Sequence, residues 1–288
     1  MKKILITGAN GQLGNEMRIL FESYPQFEYF PTDIAELDLC DKYAVDSFVS
    51  QNNIDYIVNC AAYTAVDKAE DDIDLCYKVN VDAVENLAKA ASGSKAKIIH
   101  VSTDYVFDGQ NTQAYKETDA TNPQSVYGKS KKAGEDILLE YCNDCIIIRT
   151  AWLYSSFGGN FVKTMIRLGK EKDVLNVVAD QIGTPTYAAD LAKAIMDIIV
   201  FCEKNQSFPA GIYHYSNEGV CSWYDFTLKI HELAGIGACQ VNPITTEQYP
   251  TRATRPVYSV LDKTKIKETF GIEIPKWEIS LKECILKK

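Results

Sequence analysis

Short apolar runs recur along the first half of the chain: "KILITG" from Lys3, "YIVNCAA" from Tyr56, "KIIHVST" from Lys97 and "CIIIRTA" from Cys145. Each is nearly continuous in hydrophobicity rather than alternating, the pattern of a strand buried on both faces. Between them apolar residues fall at helical spacing, as with Leu13, Met17, Leu20 and Phe21, and later Val84, Leu87, Ala88 and Ala91. Strand and helix alternating in this way predict an α/β fold, a parallel sheet covered on both sides. "FEYFPTD" from Phe27 is a weaker strand signal, but the alternation needs a strand there.

After about residue 150 the rhythm changes. Gly158 and Gly159 are followed by the strand-like "NVVADQIGTPT" from Asn176, a helical pattern at Leu191, Ile195 and Ile198, and an irregular stretch rich in proline and aromatic residues from 243 to 258. The expected organisation is a dinucleotide-binding domain over 1–150 plus about 174–204, and a smaller lobe over about 151–173 and 205–288, built above the carboxyl ends of the strands.

Composition narrows the partners. The 288 residues are 46% hydrophobic and 24% charged, ordinary for a globular protein, and the net charge of −9 argues against a nucleic-acid backbone or an anionic membrane surface. Nine cysteines without framework spacing read as reduced thiols, "CNDC" at Cys142–Cys145 included. The apolar run after the amino terminus is too short for a signal-peptide core, and stretches such as "IIVF" from Ile198 fall far below a membrane span, so a cytoplasmic protein is expected.

Chemistry enters with the glycines. "ITGANGQLG" places Gly8, Gly11 and Gly14 between the first strand and the first helix, where glycine permits a tight turn and the helix amino end offers free N–H groups to a pyrophosphate. The amides of Gly11, Gln12 and Leu13 are the expected cradle, and the fold is therefore read as a Rossmann-type doubly wound sheet. Asp33 closes the second strand, where its carboxylate would meet the adenosine ribose and favour NADH over NADPH; a solvated turn aspartate is the alternative.

"SVYGKSKKAGE" from Ser125 sets Tyr127 and Lys131 four residues apart, on one helical face. An ammonium beside the phenol would lower its pKa toward a useful proton donor. Thr103 ends a predicted strand, where its hydroxyl is delivered to the carboxyl edge of the sheet. His100 lies inside an apolar run and reads as packed, and the acidic "DKAEDDID" from Asp67 reads most simply as a solvated helix face, with a positional role near the cofactor loop left open for Asp67.

With these blocks in hand, the chain resembles the extended short-chain dehydrogenase/reductase superfamily. More narrowly, "AAYTAVDKAE", "STDYVFDG", "VYGKSK", "RTAWLY", "GTPT" and "RPVYSVLD", spread from about residue 4 to about residue 262, resemble the dTDP-4-dehydrorhamnose reductase family. The resemblance implies NAD(P)H-dependent reduction of the 4-keto group of a dTDP-linked sugar for cell-surface polysaccharide. It assigns Thr103, Tyr127 and Lys131 to catalysis. It places Asp38 and Leu39 by the adenine, and Ala62, Tyr63 and Thr64 along the cofactor. Asp104 and Trp152 are set against the sugar and Arg255 toward the diphosphate. Family members bind magnesium through glutamates at a dimer interface; Glu16 matches one position, but Ala189 stands at another, so magnesium and the choice between monomer and homodimer stay open. Two other readings are carried: a reductase of another nucleotide-linked 4-keto-6-deoxysugar, and a non-catalytic cofactor-binding subunit of the same fold.

Overall fold

The computed structural model describes residues 1–287. Its centre is a six-stranded sheet. Five strands come from the first half, β1 (Lys2–Thr7), β2 (Phe27–Pro31), β3 (Tyr56–Asn59), β4 (Lys97–Thr103) and β5 (Cys145–Thr150); the sixth is Gly211–His214. The spatial order is β2, β1, β3, β4, β5 and then Gly211–His214, and every pairing is parallel. The weak "FEYFP" run pairs with β1 over its whole length, from Lys2 against Phe27 to Ile6 against Pro31. Parallel strands need crossovers, so helices must cover both faces.

On one face α1 (Gln12–Leu20) and the helix Ala188–Asn205 bury Met17, Leu191, Ile195 and Ile198 against Ile4, Ile6 and Ile146. The other face receives α2 (Lys42–Asn52), then α3 (Ile73–Tyr77) continued through a π-turn at Lys78–Asp82 into α4 (Ala83–Ser94), and α5 (Val126–Tyr141). Val45, Val49, Leu87, Ala91 and Leu138 pack there on Leu5, Ile57 and Ile147. Each fully buried Ile or Leu contributes about 1.5–3 kcal/mol, which is why unbroken apolar runs specify these strands.

The second lobe has its own core, in which Tyr154, Val162, Phe226, Ile230, Trp277 and Leu281 bring together the helices Phe161–Glu171, Trp223–Leu233 and Trp277–Leu286. The boundary departs from the sequence expectation at two points. Residues 211–214 leave the second lobe to extend the main sheet beside β5, and Val174–Val178 pairs instead with Gln240–Ile244 in a separate two-stranded sheet. Both are strand pairings between distant segments, which periodicity alone does not carry. All nine cysteines are free. Among the described residues no helix is long and apolar enough to cross a membrane.

Candidate active site

The order of connection reverses between β1 and β3, and at the carboxyl ends of these strands lies a cavity of about 340 Å³. Thr7, Gly8 and Gly11 form one wall, Asp33, Asp38 and Leu39 a second, and Ala61 and Ala62 a third. The glycine turn is forced by close approach: a Cβ on Gly14 would lie 2.3 Å from the Gly8 carbonyl oxygen. Gly11 caps α1 without a side chain, so the first-turn N–H groups at Gln12, Leu13 and Gly14 are left for a ligand. Turn, open helix terminus and adjoining cavity fit a dinucleotide.

Asp33 lines that cavity, but both its carboxylate oxygens are engaged: one accepts the N–H of Asn10 (3.0 Å), the other the N–H of Ile34 (2.9 Å). Tyr63 is fastened at its backbone by the Asn80 carboxamide, which accepts its N–H (2.9 Å) and donates to its carbonyl (3.1 Å) from within the π-turn. Its phenol is turned to Asp72, and Thr64 beside it is exposed.

Next along the sheet edge, β4 delivers Thr103. Its hydroxyl accepts the N–H of Tyr105 (3.2 Å) and donates to Asp104 Oδ1 (2.9 Å). The other carboxylate oxygen of Asp104 is buried with no partner in the protein, and desolvation raises the carboxyl to about 6, against the Thr103 hydrogen bond and the nearby Ser259 hydroxyl, both of which favour the charged form. A buried acceptor left open at the end of a strand is suited to a sugar hydroxyl. Ser259 comes from the "RPVYSVLD" block; only that block's presence among the matching motifs signalled it.

α5 begins at Val126 because Ser125 caps it, accepting the Gly128 N–H at 3.1 Å, while Glu70 accepts the N–H of Val126 at 2.9 Å. The helix lies tight against the strand end; a Cβ on Gly128 would stand 2.3 Å from the Tyr105 carbonyl oxygen. Tyr127 and Lys131 are both buried on this face, as the spacing required, yet Lys131 Nζ lies against the Val101 carbonyl (2.8 Å) and His100 Nε2 (3.2 Å). Burial pushes the Tyr127 phenol above its ordinary value; Thr103 works downward, whereas Asp104, Tyr105 and Cys76 add to the rise. Lys131 is thus partnered to β4, a partner that the four-residue spacing did not predict. The physical reason is that shared helical face fixes Cβ positions, while the long lysine stem chooses its own partner.

Behind them Glu135 forms a buried bidentate pair with Arg149 of β5 (2.9 and 2.7 Å) and accepts the Ser102 hydroxyl (2.6 Å). Trp152, in a left-handed conformation at φ 48°, stacks on Trp223 with centroids 3.5 Å apart, a partner for which the sequence carries no signal. Arg255 has partners the sequence did not predict. Its guanidinium pairs with Asp67 and donates to the Tyr105 hydroxyl (2.9 Å), so its charge is compensated rather than free for a diphosphate. Asp67 also accepts the Ala253 N–H (3.1 Å), so it fastens the loop over this end instead of solvating a helix face.

Glu16 on α1 is buried beside the second lobe. It accepts the Ser155 hydroxyl (2.7 Å) and the Lys287 ammonium (2.8 Å). With its charge already met by a lysine, and Ala189 where a second carboxylate would be needed, these residues do not fit a divalent cation.

A doubly wound parallel sheet, a glycine turn at its first crossover, and a Thr, a Tyr and a Lys gathered at the ends of β4 and α5 define an extended short-chain dehydrogenase/reductase. Within that class the chain belongs to the dTDP-4-dehydrorhamnose reductase family, since the family model described as RmlD substrate binding domain matches residues 1–288. A dTDP-4-dehydrorhamnose reductase of Aggregatibacter actinomycetemcomitans is 45% identical over 287 residues, covering 98% of each chain. The crystal structure of a dTDP-4-dehydrorhamnose reductase from Clostridium acetobutylicum superposes with a TM-score of 0.92 at 46% identity, again over 98% of each chain. That of the Bacillus anthracis reductase, in complex with NADP, superposes with a TM-score of 0.93 at 40% identity over all of both chains.

Proposed function

We propose that the protein reduces the 4-keto group of dTDP-4-dehydro-L-rhamnose to dTDP-L-rhamnose with NAD(P)H, in dTDP-rhamnose biosynthesis for cell-surface polysaccharide. One observation carries the reading: the Thr103 hydroxyl, the Tyr127 phenol and the open oxygen of Asp104 converge at the end of β4, beside the glycine-turn cavity, in a chain of this reductase family.

When bound, the nicotinamide supplies a hydride to the carbonyl carbon. The amides around Gly8, Gly11, Gln12, Leu13 and Gly14 hold the pyrophosphate. Asp38 and Leu39 flank the adenine, and Ala62, Tyr63 and Thr64 follow the chain of the cofactor. Asp33 holds the adenosine ribose; with both oxygens engaged by backbone N–H groups, it discriminates against a 2′-phosphate by charge, which favours NADH. The NADP complex of the Bacillus anthracis relative makes NADPH the cofactor to compare.

As the carbonyl becomes an alcohol, negative charge develops on its oxygen. Tyr127 gives that oxygen its phenolic proton, and Thr103, turning from Asp104 Oδ1, donates a hydrogen bond to it. The phenolate left behind is the species that an ammonium at Lys131 stabilises, together with the nicotinamide ribose. Asp104 accepts from the sugar, Trp152 forms an apolar wall steadied by Trp223, and Arg255 reaches the diphosphate by exchanging Asp67 for it. Magnesium takes no part, because Lys287 already neutralises Glu16.

The test follows the loss of reduced-nicotinamide absorbance with dTDP-4-dehydro-L-rhamnose, NADH against NADPH. Substrate-dependent oxidation is expected. Its absence with both would favour the non-catalytic subunit, and faster turnover of a different nucleotide-linked 4-keto-6-deoxysugar would move the substrate assignment.

A further inference from the structure

Asn59 ends β3 and is buried. One end of its carboxamide accepts the backbone N–H of Ala61 (3.1 Å) and the hydroxyl of Thr7 (2.6 Å). A backbone N–H only donates, so that end is the oxygen and the orientation of the amide follows. The NH2 end lies 3.0 Å from His100 Nδ1. An amide NH2 also only donates, so Nδ1 is the acceptor and the neutral ring carries its hydrogen on Nε2.

That Nε2–H stands 3.2 Å from Lys131 Nζ. An ammonium has three N–H groups and no lone pair, so it cannot accept this hydrogen, whereas an amine can. The chain from Ala61 through Asn59 and His100 to Lys131 therefore closes with every donor matched when Lys131 is uncharged, and one amine hydrogen goes to the Val101 carbonyl at 2.8 Å. The groups around Nζ are His100 and Val101 from β4, Glu135 from α5, and Cys76 from α3. Burial brings Lys131 down to about 8 against the pull of Glu135 and Cys76, and Glu135 is itself paired with Arg149. Burial, with Lys131 adding to it, holds His100 well below its ordinary value, so the ring stays neutral.

We propose that His100 is a positioning residue: in the cofactor-free protein at alkaline pH its Nε2–H holds Lys131 as a neutral amine against β4, and binding of the nicotinamide cofactor draws the side chain away together with one proton taken up from solvent. The inference rests on the nicotinamide site proposed above. It makes the cation that acidifies Tyr127 a property of the bound state, and it accounts for Lys131 lying on Val101 rather than on the phenol.

Calorimetric titration of the full chain with NADH, which has no group titrating between pH 7 and 9, tests it. Runs at each pH in two buffers of different ionisation enthalpy count the protons. Uptake of close to one proton is expected at pH 9, with little at pH 6.5, and the Kd should rise about tenfold from pH 7 to pH 9. In His100→Leu the amine loses its donor, the ammonium is favoured, and the same rise should shrink to about threefold or less. In His100→Gln, whose carboxamide can accept from Asn59 and donate to Lys131, the wild-type ratio should return. The wild-type proton count decides even where a variant folds poorly. Binding with no proton uptake at pH 9, or an unchanged ratio in folded His100→Leu, overturns the role of His100 and leaves the nicotinamide site standing. Failure of both NADH and NADPH to bind at any pH overturns that site and the inference with it.

Discussion

Replacing Tyr127 by Phe removes one oxygen, and the structure sets what that oxygen does. The ring is 8% exposed and packs edge-on against Tyr105, with centroids 5.5 Å apart, a contact that phenylalanine keeps. The nearby Thr103 hydroxyl, which works the phenol's pKa downward, retains Asp104 and the Tyr105 N–H when the phenol is gone. No buried group is orphaned, so the stability loss should stay near about 1 kcal/mol. Cofactor Kd should change by less than roughly fivefold, one hydrogen bond to a ribose at most. Catalysis is different, because Thr103, the other hydroxyl at the strand end, can hydrogen-bond the developing alkoxide but is too weak an acid to give up its proton. Loss of a positioned general acid lowers kcat by roughly 10²–10⁴-fold, or about 3–5 kcal/mol on the barrier. The assay is the nicotinamide absorbance decay at saturating substrate, with cofactor affinity from fluorescence titration and folding from thermal melting. A kcat within tenfold of wild type, in a variant with unchanged cofactor affinity, would refute the assignment of the phenol as proton donor.

Glu135→Leu should lose about 3–5 kcal/mol in urea unfolding, since it strands the buried Arg149, and the double change with Arg149→Met should recover most of that; equal stability of the single variant would contradict the buried pair. EDTA should leave activity and melting unchanged. Lys287→Ala should lower stability by roughly 2 kcal/mol, less than a fully buried pair would lose because the lysine side chain is 37% exposed; a melting temperature raised by magnesium would reverse the metal argument. Asp33→Ala should shift the cofactor preference toward NADPH, and an unchanged ratio of kcat/KM for the two cofactors would remove the ribose role. For Asp104 the folded pKa, about 6, lies above the ordinary 3.8, so the folded state holds the proton more tightly. Stability from this group is therefore full below the unfolded value and is lost as pH rises through about 6, by about 3 kcal/mol in all. The stability difference between wild type and Asp104→Asn, measured from pH 4 to pH 7, should change by that order and in that direction; a flat difference would mean that the carboxyl is not desolvated.

The sheet was legible because burial on both faces leaves a signature that does not depend on the rest of the chain. Ile4–Ile6, Ile57–Val58 and Ile146–Ile148 read as strands and are strands, and even the mixed "FEYFP" segment could be placed, since parallel order leaves a gap only a strand can fill. What could not be read were pairings made by distant partners. Gly211–His214 is four residues with one glycine, and it becomes a sheet strand only because β5 offers an open edge. The same holds for Val174–Val178 and Gln240–Ile244, each of which finds its partner more than sixty residues away.

The site divides along the same line. The strand end of Thr103, the helix face of Tyr127 and the glycine turn were legible as local geometry, while the family resemblance supplied the roles proposed for them. Lys131 was found by the same rule, yet its partner was not, because backbone spacing places a Cβ and leaves four methylenes undetermined. His100, read as packed, is packed, with its ring wholly buried, and its two ring nitrogens nonetheless connect Asn59 to Lys131. A histidine in an apolar strand carries no sequence mark of the hydrogen bonds it makes; only the carboxamide across the sheet, oriented by the Ala61 N–H, fixes which nitrogen bears the hydrogen. Arg255 and Asp67 teach the converse. Arg255 was set toward a diphosphate and Asp67 in an acidic run, and 188 residues of separation hid their pairing. Chemistry carried by a single element was thus predictable, whereas the protonation state and charge balance of the site reside in contacts between elements, where a single sequence holds no record.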